Sequence, residues 1–75
     1  MTRHQTLDVR AMEPPEPLER TLQILGSFMP GDTLTLIINC RPVPLFRLLE
    51  RDGYQYRVEP GVESVYRITI AAPQG

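Results

Sequence analysis

The sequence predicts an α+β fold: a two-layer α/β sandwich, β-α-β-α-β-β, with both helices on one face of a four-stranded mixed sheet. Two segments with leucines at helical spacing each connect strand-like runs of alternating apolar residues. Because a crossover of helical length joins parallel strands, we expect the early strands to pair in parallel. The last two strand-like runs are separated only by a short turn, which predicts an antiparallel hairpin. One apolar sheet face and two leucine stripes are typical of a two-layer packing.

The first strand and the first helix follow from short apolar patterns. Residues 6–9 alternate, with Leu7 and Val9 on one face. The first helix is expected over residues 16–27, where the leucines form a stripe at i, i+4 and i+7: Leu18, Leu22 and Leu25.

The second strand, expected over residues 32–39, is rich in β-branched residues and has the clearest pattern of the chain. One face is apolar: Leu34, Leu36 and Ile38. The other face is intermittently polar, which indicates that helices cover one side only. The second helix is expected over residues 44–51 with a buried stripe of Leu45, Leu48 and Leu49. Gly53 then closes it in a conformation with positive φ.

The final hairpin is expected from residues 54–59 and 64–70, which alternate apolar and polar residues around a Pro-Gly turn. The alternation predicts that Tyr56 shares a face with Tyr66 and Ile68, on the side of the helices. A slip of one residue would turn the apolar residues of the last strand to water.

Length and composition limit the kinds of site that the chain can build. Its 75 residues suit a single domain, expected over residues 6–71, with flexible tails at 1–5, which contain His4, and at 72–75. One cysteine allows no internal disulfide, and one cysteine with one histidine cannot build a zinc site unaided. We expect no metal and no cofactor.

The charge balance bears on partners. The formal net charge is −1, whereas a nucleic-acid-binding domain usually needs a basic face. The chain also lacks an apolar run long enough to span a membrane. We therefore expect a monomer in the cytoplasm that binds a protein partner, with no nucleic acid and no membrane.

A proline- and glutamate-rich segment separates the first strand from the first helix: Met12-Glu13-Pro14-Pro15-Glu16-Pro17. Prolines are tolerated in the first turn of a helix, where backbone N–H groups have no intrahelical partner. Glutamates there lie at the positive end of the helix dipole. These effects alone account for the segment as a helix start.

The same segment resembles the start of the TusA/SirA-like small sulfur-carrier proteins. Their pattern is a Leu-Asp strand, a short loop, and Cys-Pro-x-Pro opening the first helix. Here Leu7-Asp8 matches the strand and Pro15-Glu16-Pro17 matches Pro-x-Pro, while the position of the cysteine falls on Pro14. The resemblance implies that this helix mouth is the family's site, without its thiol.

Two further segments extend the resemblance over roughly residues 7–70: Pro30-Gly31-Asp32 before the second strand, and Gly53-Tyr54 before the third. The resemblance implies the strand order 1-2-4-3. With proline at the position of the carrier cysteine, the chain is similar to the cysteine-free branch, which is known chiefly as a domain of unknown function.

The resemblance and the residues together predict a small non-catalytic protein-interaction module, not an enzyme. A redox- or sulfur-linked accessory role is implied by analogy only. The expected partner-binding residues lie on the edge of the helix mouth: Met12, Glu13, Pro14, Pro15, Glu16 and Arg41. The sheet face without helices is expected to be either simply solvated or a second docking surface: Gln55, Arg57, Glu59, Val65, Arg67 and Thr69.

The alternative is a sulfur-relay or redox protein that uses Cys40 as a displaced thiol. Cys40 follows the second strand, so it is expected near Pro14, with Arg10 and Arg41 able to favour a thiolate. Single cysteines are more often small buried residues. We expect Cys40 to be mostly buried and slow to react.

Overall fold

The computed structural model describes residues 3–73 and confirms the expected fold class. Six elements follow in the predicted order: β1 (His4–Asp8), α1 (Glu16–Leu25), β2 (Thr33–Ile38), α2 (Val43–Arg51), β3 (Gln55–Pro60) and β4 (Tyr66–Ala71). The sheet order is β1-β2-β4-β3. β1 and β2 are parallel, and the other two pairings are antiparallel. None of the helices within this range is long and apolar enough to cross a membrane.

The register of the final hairpin is the predicted one. Tyr56 pairs with Ile70 and Val58 pairs with Ile68, so these side chains share the face toward the helices. Glu59 is opposite Arg67 on the other face. The alternation in the sequence therefore fixed which residues enter the core.

The core lies between this sheet face and the two helices. Its fully buried apolar members come from the two central strands, from α2 and from the residue after β1: Leu34, Leu36, Ile68, Ile70, Leu45, Leu49 and Val9. The two central strands are β2 and β4, and they supply more than half of this set.

The orientation of α1 differs from the predicted leucine stripe. Leu22 is 40% exposed, whereas Thr21 is fully buried and Leu25 is 4% exposed. Leu18 is half-buried. Thr21 tolerates burial because its hydroxyl donates a hydrogen bond to the carbonyl oxygen of Pro17 at 2.8 Å. A short side chain whose hydroxyl is hydrogen-bonded within the helix lets the helix backbone approach the sheet. The prediction that Leu22 is buried was wrong because it considered only how apolar each side chain is.

α2 buries an aromatic residue that the leucine pattern overlooked. Phe46 is buried with Leu45 and Leu49, while Leu48 is only half-buried. The Phe46 ring stacks on Tyr56, with centroids 4.9 Å apart and planes 7° apart. This stack joins α2 to β3, which is one of the two edge strands of the sheet. Offset aromatic pairs of this kind stabilise a fold beyond the area that they bury.

The expected N-terminal tail is in part a strand. β1 begins at His4, whose Nδ1 is 2.6 Å from the hydroxyl of Thr33. At the other end, Ala72 is buried, and its N–H donates to the carbonyl oxygen of Asp32 at 3.1 Å. Polar edge strands carry little hydrophobic signal, which explains the wrong assignment. Of the other tail residues, 1, 2, 74 and 75 lie outside the described part of the chain.

Asp32 fastens the start of β1 to the turn before β2. The carboxylate is 2% exposed and accepts the backbone N–H groups of Arg3 and Met29, each at 3.0 Å. The hydrogen bond from Met29 lowers the pKa of Asp32 most, followed by the one from Arg3. Together they hold this pKa below its usual value of 3.8, although desolvation acts to raise it. Gly31, with φ of 93°, provides the sharp turn that brings the carboxylate to the two donors.

Two substitutions on α1 test its orientation. We expect Leu25→Ala to lower the free energy of unfolding by about 2–4 kcal/mol, because it removes a buried side chain and leaves a cavity. Leu22→Ala is expected to cost less than about 1 kcal/mol, because much of that side chain is already in water. Urea denaturation of both variants measures the difference. Equal losses would place the buried face of α1 elsewhere.

The depressed pKa of Asp32 predicts a pH-dependent contribution to stability. A lowered carboxyl pKa in the folded state gives stability that is present above the unfolded pKa, about 3.9. That stability is lost as the pH falls through the folded pKa. Asp32→Asn should therefore be less stable than the wild type at pH 7, and the difference should shrink as the pH falls from about 5 to about 2. Denaturation at several pH values measures it; a difference independent of pH would contradict the assignment.

Candidate functional site

Two loops meet at one edge of the sheet because β1 and β2 are parallel neighbours. The β1–α1 loop and the β2–α2 loop both begin where these strands end. The backbone N–H of Val9 donates to the carbonyl oxygen of Ile37 at 2.9 Å and extends the pairing beyond β1. Farther along, the side-chain amide of Asn39 reaches the carbonyl oxygen of Arg10 at 3.5 Å. These contacts hold the two loops side by side.

An apolar cavity of about 250 Å³ opens between the two loops. Its floor is formed by Leu36 and Ile38 of β2, and its sides by residues of both helices, with Cys40 also in the lining. Most of the remaining wall is proline: Pro14, Pro15, Pro17, Pro42 and Pro44. The helical wall is Leu18, Thr21 and Leu45. The lining contains no charged side chain.

The prolines form this wall because both helices begin with them. Pro17 lies in the first turn of α1 and Pro44 in the first turn of α2. Proline fits there because a first-turn N–H has no intrahelical partner. The two loops thus carry the same spacing, Pro15-Glu16-Pro17 and Pro42-Val43-Pro44. The Pro14–Pro15 peptide bond is cis. Because proline has no backbone N–H, these five residues present no backbone donor to the cavity.

An acidic groove adjoins the cavity and shares Pro14 and Pro15 with it. It is lined by residues of the loop and of the outer face of α1: Glu13, Glu16, Glu19, Arg20 and Gln23. Nε of Arg20 is 3.8 Å from the Glu16 carboxylate, a loose ion pair between exposed groups. The negative charge of the three carboxylates exceeds the sum of two positive charges, that of this single guanidinium and the roughly half charge at the N-terminal end of the helix. The groove is therefore electronegative.

The six predicted partner-binding residues occupy three kinds of position. Four line the cavity or the groove, Met12 packs against the core, and Arg41 does neither. Pro14 and Pro15 line both the cavity and the groove, and Glu13 and Glu16 line the groove. Met12 is half-buried and packs against the core, so it supports the loop more than it offers a free contact.

Arg41 is exposed and lines neither the cavity nor the groove. Its charge acts instead on the Tyr56 hydroxyl, which donates a hydrogen bond to Glu50. That hydrogen bond raises the pKa of Tyr56 above its usual value, and the nearby Arg41 opposes part of the shift. Arg41 therefore does not belong with the four predicted residues that line the cavity or the groove.

The expectation that Cys40 is buried was wrong. Cys40 is exposed, because β2 ends at Ile38 and the chain has left the sheet before it reaches the cysteine. It lines the same cavity as Pro14, which agrees with the expected proximity of the two residues. Arg10, expected as a charge partner of the thiol, is instead paired with Asp8 at 2.7 Å. The hydrogen bonds from Arg10 lower the pKa of Asp8 to about 2.

No group of three or more metal-ligating side chains occurs within residues 3–73. The cavity therefore offers apolar contact and one thiol, and the groove offers carboxylates that are exposed to water. Of the cavity residues in and just after the second loop, the sequence interpretation named Cys40 but missed Pro42 and Pro44. The repeated Pro-x-Pro spacing is the signal that could have pointed to them.

The exposure of Cys40 predicts direct reaction of its thiol in the folded protein. A chromogenic disulfide reagent at pH 8 should modify Cys40 in native buffer at a rate close to that measured in denaturant, because access needs no unfolding. Cys40→Ser provides the blank. Modification that appears only in denaturant would contradict the exposed position.

Comparison with known proteins identifies the family. Residues 6–72 match the family described as "Uncharacterized conserved protein (DUF2249)". The crystal structure of a SirA-like protein from Desulfitobacterium hafniense has the same fold, with a TM-score of 0.78 and 22% sequence identity over 93% of this chain and 99% of that chain. Among curated proteins, none matches at a significant level. The chain therefore belongs to the DUF2249 family of uncharacterized conserved proteins and has the SirA-like fold that its loop and turn motifs predicted.

Proposed function

We propose that the protein is a small non-catalytic interaction module that binds a protein partner at the edge formed by the two proline-rich loops. The observation that carries the proposal is the apolar cavity at the mouth of α1, next to Pro14. In sulfur carriers of this fold the thiol at the corresponding motif position bears the persulfide. Proline has no nucleophilic side chain, so position 14 cannot support that chemistry.

The binding edge is suited to a protein partner because its shape is largely formed before binding. Proline side chains lose little rotamer freedom, and their fixed φ limits the conformations of the free loop. A wall that is already ordered lowers the entropy cost of association. The exposed Glu13 and Glu16 provide charge beside the apolar surface, and charge complementarity contributes to partner selection.

Several further features belong to the proposal. The slightly acidic net charge disfavours a nucleic-acid partner, and we propose a cytoplasmic monomer that requires no cofactor. A redox- or sulfur-linked accessory role rests on the SirA-like fold as an analogy. The cysteine-free branch of that superfamily is the proposed evolutionary setting.

A second candidate function is favoured by the exposure of Cys40 at the cavity. In this sulfur-relay alternative, the Cys40 thiolate attacks the terminal sulfur of a donor persulfide. A new sulfur–sulfur bond forms on Cys40, and the donor leaves as its thiolate. Exposure is necessary for such a step, but the alternative also requires a thiolate at neutral pH.

The interaction proposal is tested with a charge reversal on the edge, Glu13→Arg combined with Glu16→Arg. Both side chains are exposed, so the fold should persist, and this is checked by circular dichroism. Partners recovered with the wild-type protein from its native lysate should be lost with this variant. The matched control is Asp52→Arg with Glu63→Arg, the same charge change at two exposed residues that line neither the cavity nor the groove, and it should retain them. Retention by the edge variant would move the docking surface to the open sheet face around Arg57 and Arg67.

The relay alternative is tested by incubating the protein with a cysteine desulfurase and free cysteine, followed by mass spectrometry. We expect no persulfide on Cys40, with Cys40→Ser as the reference. A persulfide at that residue would replace the interaction module with the relay.

A further inference from the structure

We infer that the segment recognised at this edge carries one large apolar side chain that enters the cavity and basic residues that lie along the acidic groove. The inference rests on the proposed function and specifies the chemistry of the partner. The observation that carries it is that the apolar cavity and the acidic groove are neighbours and share Pro14 and Pro15 in their linings.

The cavity selects an apolar group because it offers almost no polar partners. Its volume is about 250 Å³. An apolar cavity of about 150 Å³ is enough to hold benzene, so one leucine, methionine or phenylalanine side chain fits here. The Thr21 hydroxyl in the wall already donates to the Pro17 carbonyl oxygen. A polar group entering the cavity would lose its hydration without gaining comparable hydrogen bonds.

The groove selects positive charge. Glu13, Glu16 and Glu19 are all exposed, and the only basic residue among the groove's lining is Arg20, loosely paired with Glu16. A basic side chain placed there gains two kinds of contact, charge attraction and charge-assisted hydrogen bonds. Because the carboxylates remain in water, the attraction should weaken with added salt.

The spacing of the carboxylates fits an extended segment. Glu16 and Glu19 are three residues apart on α1, which puts their Cβ atoms roughly 5–6 Å apart. Alternate residues of an extended chain point to the same side about 6.6 Å apart. Two basic residues at alternate positions can therefore meet the two glutamates. The apolar residue then lies on the other side of the shared proline wall, within a few residues along the segment.

The probe is a random peptide library displayed on phage and selected against the full chain held through a terminal tag. We expect enrichment of sequences with one large apolar residue and at least two Lys or Arg residues within the next four positions on one side. An enriched peptide is then synthesised, and its Kd is measured by fluorescence anisotropy. Replacing its apolar residue by serine should weaken binding roughly ten- to hundredfold.

Two changes in the protein test the two halves of the site separately. Glu16→Gln with Glu19→Gln should weaken binding several-fold and reduce its salt dependence. The matched control, Asp52→Asn with Glu63→Gln, removes the same charge outside the cavity and the groove and should do neither. Cys40 at the cavity provides the second test. Modification with N-phenylmaleimide should block binding, whereas the small S-methylthio group should leave most of it. Cys40→Ser is the control for the reagent, because its affinity should be the same before and after treatment with N-phenylmaleimide.

Several results would overturn the inference. They are a selection that yields no binders, enriched peptides that lack basic residues, and a peptide affinity that modification of Cys40 with N-phenylmaleimide leaves unchanged. Self-association of the protein through the cavity, seen by analytical ultracentrifugation, is a further such result. Binding of small apolar molecules with no gain from attached basic residues would also overturn it. If the natural partner is lost with the edge charge reversal while the library gives no such peptides, the proposed function stands and this inference fails. If such peptides bind while the natural partner ignores the edge, the proposed function fails instead.

Discussion

The parallel pairing of β1 with β2 is the constraint on which the rest of the structure depends. Parallel strands end at the same edge, so the segments that follow them must leave the sheet side by side. Each segment then starts a helix that returns over the same face. The cavity is the space between these two helix starts, and it follows from the topology before any particular side chain is considered. The identities of the side chains decide only that this space is apolar and walled by prolines.

Most of the fold could be predicted from the sequence because the strong patterns coincide with the buried central strands. β2 and β4 alternate over a full strand length, and a register error there would turn every apolar side chain to water. The errors lie where burial does not follow apolarity. Thr21 is buried because its hydroxyl is satisfied within the helix, and Leu22 is left partly in water. His4 belongs to an edge strand, where half of the surface has no need to be apolar.

The candidate site was predictable only in part, for a related reason. The first proline-rich loop has a clear local pattern, and its glutamates and prolines were recognised from it. Apart from the repeated Pro-x-Pro spacing, the cavity has no local pattern, since it exists only when residues of α1, β2 and α2 come together. Cys40 was misplaced because its exposure depends on β2 ending two residues earlier, at Ile38. The pattern of residues along the chain does not determine at which residue a strand ends.

The position of β3 at the edge of the sheet has a consequence for association between molecules. An edge strand presents unpaired backbone groups to solvent and can template the addition of a foreign strand, the first step in many aggregation processes. Here the strand carries Arg57 and Glu59, both exposed, and ends at Pro60, which has no N–H to offer. Charged side chains and proline are common features by which natural proteins disfavour such pairing. Arg57, Glu59 and Pro60 therefore make β3 a poor template for the addition of a strand from another molecule.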